Sequence, residues 1–235
     1  MNDKSSFVND VFSSVSSRYD LMNNLMSFGL HHLWKNEAIQ QLNLKPYHKV
    51  LDLACGTADL TIKIAKELNQ DGLLIGCDVN QEMLYIGREN LQNTVAPLCP
   101  VHFILGNGQA LPFHDACFDR IIIGFGLRNF NAIEKGLEQM YRTLDNHGML
   151  LILEFSKPNN DLLRSIYHGY SDHCIPNLGE WVTGDRKSYQ YLVDSIRQHP
   201  DQPTLLNMME DQGFQACSYH NILDGIVSIH KGYKC

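Results

Sequence analysis

The stretch HKVLDLACGTADLTIKIAKEL, residues 48–68, decides the fold of this chain. Its first half is a short apolar run that stops at small residues, which is typical of a buried strand. Its second half places Leu60, Ile64 and Leu68 on one stripe of a helix. The stretch therefore predicts a strand, a tight turn and a helix.

The same alternation continues to residue 155. Further strands are predicted at LLIGCD (73–78), VHFILG (101–106), FDRIIIGFG (118–126) and HGMLLILEF (147–155), the last introduced by a His-Gly turn. Further helices are predicted at QEMLYIGRENLQN (81–93), with Asn80 as its N-cap, and at AIEKGLEQMYRTL (132–144). Apolar strands that alternate with helices predict a parallel sheet covered on both faces.

The chain is expected to form one α/β domain, since 235 residues correspond to about one and a half typical domains. We expect N-terminal helices in residues 1–45 and a ligand-binding core in 46–155. Residues 156–200 contain scattered tyrosines with no single period and are predicted to be an insertion or lid. A closing helix capped by Asp201 and a hairpin are predicted in 201–235.

Composition excludes several classes of protein. Nineteen basic and twenty-six acidic side chains give a net charge of −7, which argues against nucleic acid as a partner. No apolar run approaches the ~20 residues that cross a bilayer, and no secretory signal is visible, so we expect a cytoplasmic protein. The seven cysteines include no CxxC pair and no HExxH occurs, so no metal site is predicted.

Small and acidic residues follow the first two predicted strands, at the edge where an open parallel sheet binds its ligand. The small residues around Gly56 allow close approach of the backbone, and Asp78, 22 residues later, can accept both hydroxyls of a ribose. A packing turn and a helix cap are the alternative interpretations of Gly56 and Asp78. The turn at Gly56 and the acid at Asp78 together favour a nucleoside site. The turn is not GxGxxG, which argues against an NAD-dependent oxidoreductase.

Seven segments resemble the ubiquinone/menaquinone biosynthesis C-methyltransferase family, over nearly the whole chain. They are RYDLMNNLMSFGLHHLWK (18–35), VLDLACGTADL (50–60), LPFHDACFD (111–119), FGLRNF (125–130), LEFSKP (153–158), SYQYLVDSIRQHPDQ (188–202) and HKGYK (230–234). The resemblance implies a class I S-adenosylmethionine-dependent methyltransferase, with a Rossmann-like seven-stranded sheet whose last strand is antiparallel.

The implied reaction is C-methylation of a polyprenylated quinol ring by S-adenosylmethionine. The substrates would be demethylmenaquinol, 2-polyprenyl-6-methoxy-1,4-benzoquinol, or both. The resemblance implies that Thr57 and the turn amides hold the methionine part of the cofactor, Asp78 the ribose, and Asn107 a position near the adenine. The cofactor-binding residues that we predict are Asp52, Gly56, Thr57, Asp78, Asn107, Gly108 and Gly124.

Three positions depart from the family pattern. Ala58 stands where a second glycine is usual, Gly108 where an alanine is usual, and Gly124 where a serine is usual. A side chain at a position that needs a positive φ costs about 1 kcal/mol. We therefore expect Ala58 to weaken cofactor binding without abolishing it.

The resemblance and the chemistry together predict the catalytic residues. Ionisation of the neighbouring hydroxyl makes the ring carbon nucleophilic, so a group that favours the phenolate is needed. Arg128, which stays protonated, is predicted to stabilise that phenolate beside Asn129, with Tyr19 as a partner. His31 or His32 could accept the proton. A salt bridge that clamps the loop is the alternative role for Arg128.

The isoprenoid tail of such a substrate requires an apolar groove. Phe28, Leu30, Leu33 and Trp34 could line it, although such a stripe is also typical of a plain core. We expect peripheral contact with the membrane, and a homo-oligomer or a quinone-synthesis complex is compatible with the sequence. The second functional hypothesis is a non-catalytic S-adenosylmethionine-binding subunit of such a complex, motivated by the departures near the cofactor turn.

Overall fold

The computed structural model describes residues 27, 29–94, 96–160 and 186–235. The helices are α1 (His31–Gln41), α2 (Asp59–Ala65), α3 (Gln81–Thr94), α4 (Ile133–Thr143), α5 (Arg186–Gln198) and α6 (Gln202–Asp211). The strands are β1 (Lys49–Leu53), β2 (Leu73–Asp78), β3 (Val101–Leu105), β4 (Phe118–Gly124), β5 (Leu144–Phe155), β6 (Gln215–Ile222) and β7 (Val227–Tyr233). Two 3₁₀ turns lie at Leu127–Asn129 and Leu223–Gly225.

These seven strands form one sheet in the order β3-β2-β1-β4-β5-β7-β6. β1 to β5 pair with one another in parallel, whereas β7 is antiparallel to both β5 and β6. This arrangement confirms the predicted sheet with its antiparallel last strand. Because the strand order reverses between β1 and β4, the carboxyl ends of these two strands mark the position at which such a sheet binds a ligand.

Apolar side chains cover both faces of the sheet. Trp34 of α1 and Tyr189 of α5 pack on one face, and Met209 of α6 packs on the other. Ile121 and Ile122 of β4 belong to opposite clusters and are both fully buried. The continuous apolar runs of the central strands thus follow from burial on both faces.

Two predicted helix caps are confirmed. The side chain of Asn80 accepts a hydrogen bond from the backbone N–H of Met83 at 3.0 Å, at the start of α3. The side chain of Asp201 accepts from the N–H of Thr204 at 3.1 Å, at the start of α6. Each cap satisfies an N–H group that has no partner within its helix.

The structure differs from the sequence prediction in two places. β5 begins at Leu144, so the predicted His-Gly turn is a kink inside the strand, where His147 has a φ of 63° and the register with β4 shifts. The interval 156–200 also contains a helix, α5, which sequence reading missed. Tyr189, Val193 and Ile196 of α5 are buried at helical spacing, a signal that the surrounding polar residues obscured.

Some expectations lie outside the described residues. Of the predicted N-terminal helices, the structure describes α1, and residues 1–26 are not described. The lid role of 156–200 stays a prediction, since residues 161–185 lie outside the described chain. Within the described part, no helix combines the length and apolarity needed to cross a bilayer.

Candidate active site

A cleft of about 960 Å³, including its open mouth, lies at the carboxyl ends of the central parallel strands. Residues that follow β1, β2, β3 and β4 line it. They include Ala54, Gly56, Asp78, Asn80, Met83, Asn107, Gly108, Phe125, Asn129 and Phe130. Of the predicted cofactor residues, Gly56, Asp78, Asn107 and Gly108 meet here.

The turn after β1 has a strained backbone. Ala54, Gly56 and Ala58 have φ values of 53°, 53° and 71°, in the region that favours glycine. The expectation that Ala58 occupies a position of positive φ is therefore confirmed. Its methyl group packs against Gly87 of α3, where an added Cβ would lie only 3.1 Å from the Cβ of Ala58. The missing side chain of Gly87 is what accommodates Ala58.

Asp78 ties the β1 turn to the end of β2. Its Oδ2 accepts the N–H of Gly56 and its Oδ1 accepts the N–H of Asn80, both at 2.9 Å. Burial raises the pKa of Asp78, and these hydrogen bonds oppose that effect. The side chain that caps α3 is that of Asn80, so Asp78 does not serve as the cap. The backbone of Val79 also hydrogen-bonds to the carboxylate of Asp78. Since a carboxylate has about four acceptor positions, Asp78 can still accept from a ribose hydroxyl at the cleft.

The loop after β3 supplies the far wall of the cleft. Asn107 orders this loop, because its Oδ1 accepts the N–H of Gln109 at 2.9 Å. An added Cβ on Gly108 would lie 2.3 Å from the ring of Phe130, which lines the same cleft. The same ring leaves no room for a Cβ on Gly136, at 2.5 Å. The ring of Phe130 therefore fills the space that the methyl group of an alanine at position 108 would need.

A second, smaller cavity of about 340 Å³, including its open mouth, adjoins the cleft behind the β1 turn. Ala54, Gly56 and Phe125 line both spaces. Asp52, Thr57 and Gly124, three further predicted cofactor residues, line the smaller one. The side chain of Leu60 lies where a Cβ on Gly124 would be, at 2.5 Å, so a neighbouring apolar group fills the space of the family serine.

Asp52 is the buried acid of this second cavity. Its Oδ2 accepts the hydroxyl of Thr61, and its Oδ1 has no hydrogen-bond partner among the described residues. Burial raises the pKa of Asp52 to about 7, although the hydrogen bond from Thr61 and the nearby charge of Lys35 oppose the shift. A buried carboxylate oxygen without a partner is costly, and a bound ligand with a donor would satisfy it.

The structure places Arg128 in a buried ion pair and Asn129 in the lining of the cleft. Nη1 of Arg128 donates to Oε1 of Glu154 at 2.7 Å and to the carbonyl of Phe125, and its side chain is 1% exposed. This geometry supports the alternative role, a salt bridge that clamps the loop. Asn129 lines the cleft, and its Oδ1 accepts the hydroxyl of Tyr191 at 3.1 Å. Tyr191 and Glu154 were missed by sequence reasoning, which singled out only the segments that contain them.

The remaining sequence candidates have separate outcomes. Tyr19 and Phe28 lie outside the described residues. His31 is buried against the hydroxyl of Ser27, and burial, aided by the charge of Lys35, lowers its pKa to about 4, so it is neutral near pH 7. Trp34 packs edge-on against Phe155 in the core, as the alternative interpretation held.

His31, His32 and Asp59 bring their nitrogen and oxygen atoms within 4.8 Å of one another. The ammonium group of Lys35 already donates to Oδ2 of Asp59 at 2.8 Å. A positive charge therefore stands where a metal ion would need this carboxylate. The cluster has the chemistry of an ion pair.

The two adjoining cavities fit the parts of S-adenosylmethionine. The cleft offers the Asp78 carboxylate to a ribose, and the smaller cavity offers the unpartnered Oδ1 of Asp52 to a cationic group. Ala54 and Gly56 of the β1 turn have left-handed backbone and line both cavities. The residues present therefore fit this cofactor.

Comparison with known proteins agrees with this geometry. Residues 1–234 match the family model described as the ubiE/COQ5 methyltransferase family. The ubiquinone/menaquinone biosynthesis C-methyltransferase UbiE of Pseudoalteromonas translucida is 48% identical over 233 residues, which are 99% of this chain and 92% of that protein. UbiE of Escherichia fergusonii is 48% identical over 231 residues, 98% of this chain and 92% of that protein.

A crystal structure of an S-adenosylmethionine-dependent methyltransferase from Aquifex aeolicus has a similar fold. Its TM-score is 0.66 at 16% identity, and the match covers 92% of this chain and 98% of that one. At this identity the likeness concerns the fold alone.

Proposed function

Because this chain belongs to the ubiE/COQ5 methyltransferase family, we propose that it transfers the methyl group of S-adenosylmethionine to a ring carbon of a polyprenylated quinol. The chain is thus an S-adenosylmethionine-dependent C-methyltransferase of ubiquinone/menaquinone biosynthesis. The observation that carries this function at the level of residues is the pair of adjoining cavities, with Asp78 in one and the unpartnered Asp52 in the other.

The position of each side chain supports the cofactor-binding roles that we propose. We assign the ribose to Asp78, since its carboxylate lines the cleft with acceptor capacity left. We assign the adenine to the space between Asn107 and Phe130, and the methionine part to the smaller cavity with Thr57 and Asp52. When bound, S-adenosylmethionine supplies a methyl group on a positively charged sulfur.

The substrate side of the cleft is assigned to Asn129. The hydroxyl of Tyr191 donates to Oδ1 of Asn129, and burial raises the pKa of Tyr191, so this hydroxyl keeps its proton near neutral pH. The amide NH₂ of Asn129 is then left to donate to a quinol oxygen. A donor aimed at an oxygen that gains negative charge stabilises the transition state.

We assign Arg128 a positioning role. Its ion pair with Glu154 joins the 3₁₀ turn that carries Asn129 to the end of β5. Because the guanidinium is 1% exposed and faces a carboxylate, its charge is already compensated. Direct stabilisation of the phenolate by Arg128 would require this pair to open.

The isoprenoid tail of the substrate needs apolar contact outside the cleft. Leu30 and Leu33, at the start of α1, are 37% and 63% exposed and offer such a surface. We propose that they face the tail or the membrane that holds it. Sedimentation with phosphatidylcholine vesicles should pull down the chain, and the Leu30→Ser/Leu33→Ser variant should remain in the supernatant. Equal sedimentation of the two proteins would argue against this surface.

The experiment that tests the function is anaerobic transfer of labelled methyl from S-adenosylmethionine to demethylmenaquinol and to 6-methoxy-polyprenyl-benzoquinol, in separate tubes. We expect label in one or both products, lost in Asp78→Ala and kept in Asp71→Ala, which removes an exposed acid from the loop before β2. The result also decides which ring the enzyme prefers. No label in either tube while the cofactor still binds would favour the non-catalytic subunit.

A further inference from the structure

The smaller cavity contains a cation that sequence reasoning did not single out. Lys35 of α1 reaches the cavity beside Asp52 and Thr57, and its side chain is 9% exposed. Its ammonium group donates to Oδ2 of Asp59 at 2.8 Å, and this is its hydrogen-bond partner among the described residues. An ammonium group has three N–H donors, so Lys35 retains donors for a ligand.

The same cavity is lined by a buried acid with a carboxylate oxygen that has no hydrogen-bond partner in the described chain. Asp52 is fully buried, and its Oδ1 has no partner in the described chain. The lining of this one cavity therefore includes a lysine with its ammonium group and an aspartate with an unpartnered carboxylate oxygen. A ligand with one negative and one positive group would compensate both, since buried charges require partners.

This space adjoins the end of the cleft that holds Asp78. Ala54, Gly56 and Phe125 separate the two cavities and line both of them. A nucleoside on Asp78 would thus place its 5′ substituent at the mouth of the smaller cavity. In S-adenosylmethionine that substituent ends in an α-ammonium and an α-carboxylate group.

We propose that Lys35 binds the α-carboxylate of the methionine part of S-adenosylmethionine, while Asp52 accepts a hydrogen bond from its α-ammonium group. The proposal rests on the proposed function and assigns a further binding residue to the same site. Asp59 is a positioning residue, because its carboxylate fixes the ammonium group of Lys35 from the side of α2.

The arrangement also balances charge. Lys35 and Asp59 compensate each other, which leaves Asp52 alone when ionised. A zwitterionic ligand adds no net charge, yet it gives Asp52 a cationic partner and Lys35 a second anionic one. A ligand that lacks the carboxylate would satisfy Asp52 only.

The test compares three ligands that share the nucleoside. S-adenosylhomocysteine contains both charged groups, decarboxylated S-adenosylhomocysteine contains the ammonium group alone, and 5′-methylthioadenosine contains neither. Dissociation constants are measured by titration calorimetry on the wild-type chain and on Lys35→Met. The matched control is Lys63→Met, which removes a nearby lysine of α2 whose ammonium group donates to Asn36 at 2.8 Å.

We expect Lys35→Met to raise the dissociation constant of S-adenosylhomocysteine by about 10- to 100-fold, the range for a hydrogen bond between charged groups. Its affinities for decarboxylated S-adenosylhomocysteine and 5′-methylthioadenosine should stay within about twofold of the wild type, which also shows that the variant is folded. Lys63→Met should change all three constants by less than about twofold.

Two results would overturn the assignment. An unchanged affinity of Lys35→Met for S-adenosylhomocysteine would exclude the contact, and an equal loss for all three ligands would reduce Lys35 to a structural ion pair. In both cases the wild type still binds S-adenosylhomocysteine and the proposed function stands. A wild-type chain that binds none of the three ligands would refute the proposed function itself.

Discussion

Arg128 and Glu154 form an ion pair in which Nη1 and Oε1 lie 2.7 Å apart, with side chains that are 1% and 0% exposed. Glu154 also accepts the backbone N–H of Arg128 at 3.3 Å and that of Phe155 at 2.9 Å. The guanidinium carbon lies 5.6 Å from the centre of the Phe155 ring. The pair thus fixes the turn after β4 to the end of β5, directly beside the cleft.

Removal of one member of this pair should destabilise the chain strongly. Arg128→Met leaves the carboxylate of Glu154 buried without its counter-charge, which costs about 3–5 kcal/mol of unfolding free energy. The double variant Arg128→Met/Glu154→Leu replaces the pair by apolar groups and should recover most of that loss. Urea denaturation measures the free energy of unfolding of the wild type, of Arg128→Met and of the double variant.

The same double variant separates positioning from catalysis. If Arg128 only positions the turn, methyl transfer should recover together with stability. A stable double variant that binds the cofactor normally but has lost its turnover would show that Arg128 acts on the substrate, as the sequence predicted.

Tyr191 should influence turnover more than cofactor binding. Tyr191→Phe removes the hydrogen bond that orients the amide of Asn129, and such bonds contribute about 0.5–1.5 kcal/mol. We expect kcat to fall about 2- to 12-fold, while the dissociation constant of S-adenosylhomocysteine stays unchanged. Tyr47→Phe, at a residue 61% exposed and outside the cleft, is the control. A rise in that dissociation constant with normal kcat would place Tyr191 on the cofactor side instead.

Gly108 and Phe130 should behave as a coupled pair. Gly108→Ala introduces a Cβ about where the ring of Phe130 now lies, and Gly136 also packs closely against this ring. Overpacking of this kind costs about 1–3 kcal/mol. We expect Gly108→Ala to lower stability, and Gly108→Ala/Phe130→Val to restore it. Additive effects in the double variant, seen by thermal unfolding and calorimetry, would mean that the two residues are independent.

Sequence reading predicted the fold from periodicity and the cleft from the strand ends. The apolar runs of β1, β2 and β4 are continuous because both faces of the sheet are buried, so their positions could be read directly. Asp78 could be predicted because it follows a strand at the edge where ligands bind.

Other features depend on contacts between residues far apart in the chain. Glu154 lies in a strand 26 residues from Arg128, and the bond between Tyr191 and Asn129 spans 62 residues. Lys35 precedes the core, and nothing in its local pattern indicates that α1 brings it to the β1 turn. Helix α5 was missed because its buried stripe is surrounded by polar residues.

Asp52 should make cofactor binding depend on pH. Burial raises its pKa to about 7, so its carboxyl group is largely protonated below that pH and lacks the negative charge that attracts an ammonium group. As pH falls from 8 to 6, the dissociation constant of S-adenosylhomocysteine should therefore rise, with a limiting slope of about tenfold per unit. In Asp52→Asn the constant should be higher at pH 8 and should depend less on pH than in the wild type.

Burial also raises the pKa of Asp78, so the contribution of Asp78 to the pH dependence must be separated from that of Asp52. Since 5′-methylthioadenosine contacts the ribose site without an ammonium group, its pH profile reports Asp78 alone. If both ligands showed the same profile in the wild type, the dependence would belong to Asp78 and not to Asp52.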